Sequence, residues 1–514
     1  MLRRLAPAVS TAILLVQNGA VLPGRAQDPA VPPPKAPAVP ADGRFEPTRT
    51  LELTLEDALS LALENNIGLQ RDDLATDAAL YAAKGSWGAF DWTLAATGGV
   101  TDNEFESDSV FGGSNVNTQS FGVDLVRPLS TGGTFRAGFD TANVDTDNSF
   151  QALSTSTTDV ISLAYVQPLL RGAWRQYATA SQTIADLEWR RALEHQREVR
   201  QQLLFDVSIA YWDLVSARAQ TEVAESSLEL GKTQQQEDQR RLEAGVGTQI
   251  DVLSAETQVA TREQVLLAAQ VTVRQRADAL RQLILPSAEA AQWETGLIPS
   301  TPLPEETSAA VAPAWDGALQ TALAHRPELR QQQLLISERK LEHDVRKNEK
   351  NPFLDLQLAA NGKGFSGDSS EAFDEAASYD FPTYQALLSF SFPLGNRTAK
   401  GAERVAWEEL RAANLTYDEI QTVIAGEVRE ALRQLIYQSL AVSAARKSLA
   451  LAEKQLEAEE KRHQEGLSTN FQVLRFQQEL TLALSSERGA RAGYARALSG
   501  LARAQGLIGE DVAR

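Results

Sequence analysis

Residues 243–256 read EAGVGTQIDVLSAE, and residues 464–477 read QEGLSTNFQVLRFQ. In each stretch a glycine, Gly245 or Gly466, follows a long helix-forming run and suits the left-handed position that closes a helix. A new helix start follows three residues later. Thr248 with Asp251 has capping-box spacing, and Thr469 with Gln472 repeats it. Apolar side chains sit on each turn or just after it: Val246, Ile250 and Leu253 in the first, Leu467, Phe471 and Leu474 in the second. The pattern predicts two helical hairpins with apolar tips.

The flanking sequence predicts helices of unusual length. Residues 173–230 contain neither Gly nor Pro, and no proline follows Pro393. A helix over about 173–243 spans roughly 105 Å at ~1.5 Å per residue. Apolar residues recur every seven positions: Leu203, Ala210, Ala217 and Ala224; Val252, Val259, Leu266, Val273 and Leu280; Val428, Leu435, Val442, Leu449 and Leu456. A strict seven-residue repeat specifies left-handed coiled-coil packing, so these residues are read as core and not as chemistry.

The chain repeats itself. LEDALSLALENNIGL at 55–69 matches WDGALQTALAHRPEL at 315–329, and the two tips match at a different offset in the same order. Fixed-order self-similarity means two copies of one supersecondary unit. Between the matched parts, residues 86–168 are rich in Gly, Thr, Asn, Ser and Asp with alternating apolar positions. FGVDLVRPL (121–129), TFRAGFDTANV (134–144) and DVISLAYVQPL (159–169) read as strands. The second copy has FLDLQLAANGKG (353–364), an acidic loop over 365–380 and YQALLSFSFPL (384–394). Weak alternation over ~9–11 residues with aromatic residues near the segment ends is the pattern of a membrane barrel strand.

The domain reading is as follows. Residues 1–26 have a basic start, an apolar stretch and small residues before Gln27, the pattern of a secretory signal peptide. Its removal takes three arginines and no acid, so the net charge moves from −19 to −22. Residues 27–50 form a Pro-rich linker. Residues 51–285 are the first repeat, with strands about 90–168 and long helices about 172–284. Residues 286–315 connect the repeats. Residues 316–508 are the second repeat, with strands about 353–394 and helices about 396–507, and 509–514 form a tail.

Composition excludes several functions. There is no cysteine, hence no disulfide, thiolate metal site or thiol nucleophile. The acidic balance argues against nucleic acid, whose phosphates need clustered Lys and Arg. The four histidines are scattered, with no metal-ligand partner at i+4, and no Ser-His-Asp arrangement can be argued. NGKGFSG (361–367) lacks the spacing of a phosphate-binding loop. The expectation is no enzyme, no cofactor and no resident metal. The residues themselves leave two readings open: an export duct, or a secreted soluble coiled-coil scaffold or adhesin with a β insert.

The chain resembles the TolC-like outer-membrane efflux protein family over about 51–508. The resemblance rests on LTLEDALSLALENN (53–66), QPLLRGAW (167–174), AYWDLVSA (210–217) and the two tips. It implies a mainly α fold with a membrane β-barrel part: a homotrimer sharing one barrel in the outer membrane of a Gram-negative-type bacterium, and one periplasmic tunnel of coiled-coil helices. It implies the exit duct of a tripartite efflux pump or type I secretion system, with a periplasmic adaptor and an inner-membrane RND or ABC transporter as partners and outer-membrane lipid around the barrel. It places adaptor docking at Gly245, Val246, Thr248, Leu253, Gly466, Leu467, Thr469 and Leu474, and a tunnel-mouth gate at Asp251, Gln472 and Arg475. Three departures stand out. Many members carry a lipid on an N-terminal Cys, which this chain lacks. Some members have acidic residues just after the second tip that narrow the tunnel mouth; the matching positions here are Gln472 and Arg475, while the first tip keeps Asp251, which leaves open an acidic ring or a different polar network. The usual barrel has twelve strands, whereas the first strand block here is by itself long enough for four, so that a trimer has more than twelve or the extra hairpin lies outside the barrel.

Overall fold

The computed structural model describes residues 49–104, 106, 113–148, 150–289, 293–304 and 312–509. The signal peptide, most of the Pro-rich linker, parts of the connector and the last tail residues lie outside them.

The first half runs β1 (Arg49–Leu53), α1 (Leu55–Asn65), α2 (Ile67–Ser86), a 3-10 turn (Trp87–Phe90), β2 (Thr93–Glu104), β3 (Asn115–Pro128), β4 (Thr134–Thr146), β5 (Thr155–Pro168), the single turn α3 (Arg175–Ala178), α4 (Ala180–Glu243) and α5 (Gln249–Ile284), then β6 (Thr295–Pro299). The second half runs α6 (Trp315–His325), α7 (Pro327–Asn348), β7 (Phe353–Ser366), α8 (Ser369–Ser378), β8 (Pro382–Ser391), α9 (Arg397–Gln464) and α10 (Asn470–Ala504). The two-repeat order is plain: short helix, medium helix, strands, very long helix, tip, return helix. α1 and α6 are both 11 residues long, and each ends at an extended residue, Asn66 or Arg326, that opens the next helix. Asn66 caps α2 through Leu69 N–H, while α7 uses Pro327 in its first turn, where a missing N–H costs nothing.

α4 has 64 residues and α9 has 68. α4 opens at Ala180 and not at 173, because Thr179 (φ −103, ψ 17) separates it from α3. Neither long helix runs unaccompanied. Near the sheet α4 meets α2, where the Gln182 amide donates to Ser86 O at 2.9 Å. Toward the tip it meets α5, where Arg276 pairs with Asp213 at 3.1 Å. α9 is flanked in the same way by α7 (Gln332 Nε2 to Ala413 O, 2.7 Å) and then by α10, whose Gly493 lies against Gln438. The two halves join in the sheet through β5 and β7, between α4 and α7 (Gln331 amide to Glu198, 2.8 Å), and between α4 and α10, where the Gln220 amide donates to Ser485 O at 2.9 Å.

The seven-residue stripes are core at most positions, while Val259, Leu266 and Val273 in the middle of the α5 stripe, with Ala210 and Leu449, are only half-buried. Val428, Leu435, Val442 and Leu456 of α9 and Leu203 of α4 are buried, as are Val252 and Leu280 at the ends of the α5 stripe. Two apolar cores occupy the middle of the molecule. One gathers Leu59, Val207, Tyr211, Leu214, Leu280 and Ile284, and the other Ala318, Leu329, Val428, Leu435, Val442 and Tyr494. β1 and β6 pair in parallel over the first core. The fully buried Tyr211 hydroxyl there donates to Leu53 O and accepts from Thr301 N–H, both at 3.0 Å.

The other six strands form one antiparallel sheet in the order β2-β3-β4-β5-β7-β8. The expected four-strand first block is present, so the chain supplies six strands. Successive side chains alternate faces, and the register sorts them sharply. One face carries Leu94, Phe121, Val123, Leu125, Phe135, Ala137, Phe139, Ile161, Leu163, Tyr165, Leu356, Leu358, Tyr384, Leu388 and Phe390. The other carries Thr97, Ser120, Asp124, Arg136, Asp140, Ser162, Asn361, Lys363, Thr383 and Gln385. On this polar face Arg136 grips Asp124 with two bonds, 2.7 and 2.8 Å. A Cβ on Gly138 would come within 2.7 Å of Asp124 Oδ1 and of Ser162 Oγ, so a larger residue would displace the carboxylate that Arg136 holds.

The acidic stretch expected as a loop over 365–380 contains a helix instead. Asp368 caps α8 through Ser370 N–H, and Ala372 and Ala376 are fully buried. They rest on Gly364 and Gly362, where a Cβ would strike the helix backbone, and Phe373 meets Phe139 edge-on at 5.7 Å. α8 therefore lies on the apolar face, over its far end, where Thr157 and Asp159 are covered. A ten-residue helix whose burial depends on two alanines meeting two glycines leaves no periodic signal in the sequence.

Candidate functional site

The tips close as two instances of one motif. At the first, Gly245 has φ +74, its N–H donates to Leu242 O at 2.9 Å, and Val246 N–H donates to Arg241 O at 3.0 Å. At the second, Gly466 has φ +76, with N–H bonds from Gly466 to His463 O (3.0 Å) and from Leu467 to Arg462 O (2.8 Å). These are the paired reverse bonds of the Schellman turn, which satisfy carbonyls a helix end otherwise leaves open.

The helix starts differ. Thr248 and Asp251 form the full reciprocal box: Thr248 Oγ1 accepts from Asp251 N–H (3.3 Å), and Asp251 Oδ2 accepts from Thr248 N–H (3.2 Å). Thr469 makes no side-chain cap, contrary to the expected repeat. The second turn is braced from the preceding helix, through Ser468 to Glu459 and through His463 Nδ1 at 3.1 Å from Ser468 O. We expect Thr248→Ala to cost about 0.5–2 kcal/mol of hairpin stability and Thr469→Ala close to nothing. Amide exchange at residues 249–252 and 470–473 reads the contrast.

Val246, Ile250, Leu253, Leu467 and Phe471 are 60–75% exposed. Two apolar tips thus stand in solvent at the end of the molecule opposite the sheet. Leu474 departs from the expectation for it: it is buried, as is Val473. It lies on the side of α10 that carries the buried Asn470 and Gln477, so it offers nothing outward. Asp251 is engaged by Thr248, and Arg475 pairs with Glu479 one turn along its own helix at 3.0 Å. Among the described residues Asp251, Gln472 and Arg475 share no hydrogen bond or ion pair with one another.

A polar cluster that sequence reasoning missed lies between the hairpins just behind the tips. Asp238 of α4 accepts from the amides of Gln234 (3.0 Å) and Asn470 (2.6 Å), and Gln234 also donates to Asn470 Oδ1 (3.0 Å). All three are buried. Farther up, Arg262 of α5 donates to Ser227 O of α4 (2.7 Å) and to Gln477 Oε1 of α10 (3.2 Å). Gly231 makes room, since a Cβ there would lie 3.0 Å from the guanidinium. That isolated glycine inside a long helix is the one trace the sequence carried. The cluster fixes α4, α5 and α10 in one axial register, because buried polar groups lose their partners if the helices slide.

Burial pushes the Asp238 carboxyl above its ordinary range, with Asp251 adding in the same direction and the two amides and His463 opposing. The folded protein then holds this proton to higher pH than the unfolded chain. The group favours folding at acid pH, and that contribution is lost as pH rises through the raised value. Asp238→Asn removes the titration. The melting temperature of the variant relative to the unaltered protein is expected to climb between pH 4 and pH 7. A difference that stays flat or falls contradicts the assignment.

Comparison with known proteins agrees with this geometry. Residues 318–507 match the family model "Outer membrane efflux protein". No curated protein matches the chain by sequence. Among solved structures, the outer-membrane channel OprN is similar with a TM-score of 0.64 at 16% identity, over 93% of this chain and 98% of that one. The CmeC outer membrane channel of Campylobacter jejuni gives 0.64 at 14%, over 88% and 85%. The open state of the Neisseria gonorrhoeae MtrE outer membrane channel gives 0.61 at 17%, over 88% and 89%.

Proposed function

We propose that this chain, whose residues 318–507 match the outer membrane efflux protein family model and whose fold is that of the outer-membrane channels it resembles, is the exit duct of a tripartite efflux pump or type I secretion system in the outer membrane of a Gram-negative-type bacterium. One observation carries the reading. A six-stranded sheet with one apolar and one polar face, open at both edges, continues into two helical hairpins that end in exposed apolar tips. Among the described residues no helix is long and apolar enough to cross a membrane. The apolar face of the sheet is the part proposed to meet lipid.

The same surface supports a homotrimer. Ile67, Leu74 and Tyr81 recur every seventh residue along α2 and are 62%, 69% and 68% exposed. Such a stripe is the seam of a coiled-coil contact, and among the described residues no apolar element of the chain covers it. Leu440 and Leu451 of α9 and Leu267 of α5 are exposed in the same way. Three copies would bury these faces and close the helices into a periplasmic tunnel.

The duct is passive. Val246, Ile250 and Leu253 at one tip and Leu467 and Phe471 at the other offer apolar knobs to a periplasmic adaptor, held by the turns at Gly245 and Gly466. Asp251, Gln472 and Arg475 line the mouth, where their contacts are made between copies. Opening moves one hairpin against the other, and the energy comes from the RND or ABC transporter behind the adaptor. The test is fractionation and electrophoresis: the protein should be in the outer membrane, require detergent and migrate as a heat-sensitive trimer. Recovery from the periplasm or medium without detergent favours the soluble scaffold instead.

A further inference from the structure

The barrel wall is built from six strands per chain, and both outermost strands are unsatisfied. β2 is exposed at all twelve positions and β8 at nine of ten, and among the described residues each pairs with a strand on one side only. An open strand edge in hydrocarbon leaves every second N–H and C=O without a partner, at several kcal/mol each. Six strands are too few to close, since membrane barrels begin at about eight. The edges must therefore pair with other copies. Their polarity fits: six antiparallel strands end on opposite directions, so β2 of one copy meets β8 of the next in the antiparallel sense that the rest of the sheet uses.

We propose that three chains close an eighteen-stranded barrel, β2 of each pairing with β8 of its neighbour, so that the outer mouth is much wider than a twelve-stranded wall would give. The proposal rests on the trimeric reading above.

The extra hairpin belongs to the wall. The second half places two strands between α7 and α9, whereas the first places four between α2 and α4. The added pair is not hung on an edge. β3 and β4 stand between β2 and β5, paired along twelve residues on one side of β3, thirteen between them and twelve on the far side of β4. They keep the sorting of faces: Phe121, Val123, Leu125, Phe135, Ala137 and Phe139 on the apolar face, and Ser120, Asp124, Arg136 and Asp140 on the polar one. A hairpin outside the wall would have no reason to alternate in phase with its neighbours, or to hold the Asp124–Arg136 pair on the face that carries Lys363.

The size follows from strand geometry. With strands about 4.8 Å apart and tilted about 40°, each occupies about 6.3 Å of circumference, giving a backbone diameter of about 36 Å for eighteen strands and about 24 Å for twelve.

Two experiments test this. The chain has no cysteine, so introduced thiols are the only ones. Cysteine at Thr97 of β2, combined in turn with cysteine at Thr383, Gln385 or Leu387 of β8, should for one pair give a ladder ending at three linked chains. If β8 thiols instead link to Asp140→Cys of β4, then β2 and β3 lie outside the wall and the proposal fails. A ladder that stops at two or is absent overturns the trimeric reading itself. The second experiment replaces residues 105–154 by an Asn-Gly turn, which sets β2 beside β5, and measures polyethylene glycol exclusion from the barrel side in planar bilayers. The unaltered channel should admit polymers about 1.5-fold larger in diameter. An equal cut-off in two assembled trimers overturns the strand count. Should the shortened chain fail to assemble, counting strands in an averaged electron-microscopy map of the unaltered trimer decides between eighteen and twelve.

Discussion

Leu163→Arg is expected to abolish assembly in the membrane, whereas Gln385→Arg, a like substitution on the same sheet, is expected to be tolerated. Leu163 lies on β5 in the middle of the apolar face, between Ala137 and Ala360 on the adjoining strands. Gln385 lies on β8 on the opposite face, beside Ala359. An arginine facing lipid near the bilayer midplane costs about 2–4 kcal/mol per chain, and a shared barrel carries that cost once for every copy. A lumen-facing arginine stays in water. Heat-modifiable trimer in the outer-membrane fraction is the measurement. Equal yields from both variants would show that the apolar face does not meet lipid.

The second large effect belongs to the tips. Gly245→Pro and Gly466→Pro should abolish adaptor binding and export while leaving the trimer intact. Gly245 and Gly466 sit at φ +74 and +76, and proline is locked near −65°. Each substitution also deletes an N–H that closes the turn, to Leu242 O or His463 O. The turn must rebuild at a cost of roughly 3 kcal/mol or more, and the exposed Val246 or Leu467 moves with it. The buried cores and the sheet lie far up the long helices and are untouched. Gly245→Ala is the graded control, since nothing lies within 4 Å of its Cβ position and only the left-handed backbone opposes it, at about 1–2 kcal/mol. Export at the unaltered rate in both proline variants would remove the tips from the docking surface.

Much of this was legible in the sequence because it depends on local chemistry. Gly245 and Gly466 marked the helix ends, since only glycine takes that conformation without strain. Thr248 and Asp251 announced their cap, and the alternation in 121–129 and 134–144 announced strands. What failed locally failed for a physical reason. Thr469 and Gln472 have the spacing of a cap, yet the turn between them and the preceding helix is held by Glu459 and His463 instead. Leu474 and Leu253 look alike in the sequence, yet one is buried and the other faces solvent. α8 forms in an acidic stretch because Gly362 and Gly364, on a strand before it, give two alanines somewhere to lie.

By itself the sequence determined the twofold internal repeat, the long helices with their tips and the presence of strands, because periodicity, capping and turn chemistry act over a few residues. Only the tertiary structure decided that six strands share one sheet with β2 and β8 at its edges. It alone showed that Asp238, Gln234 and Asn470 meet behind the tips, and that Ile67, Leu74 and Tyr81 stand exposed along one side of α2. Pairing order, buried polar contacts and unpartnered faces join residues tens to hundreds of positions apart, and no local rule constrains them.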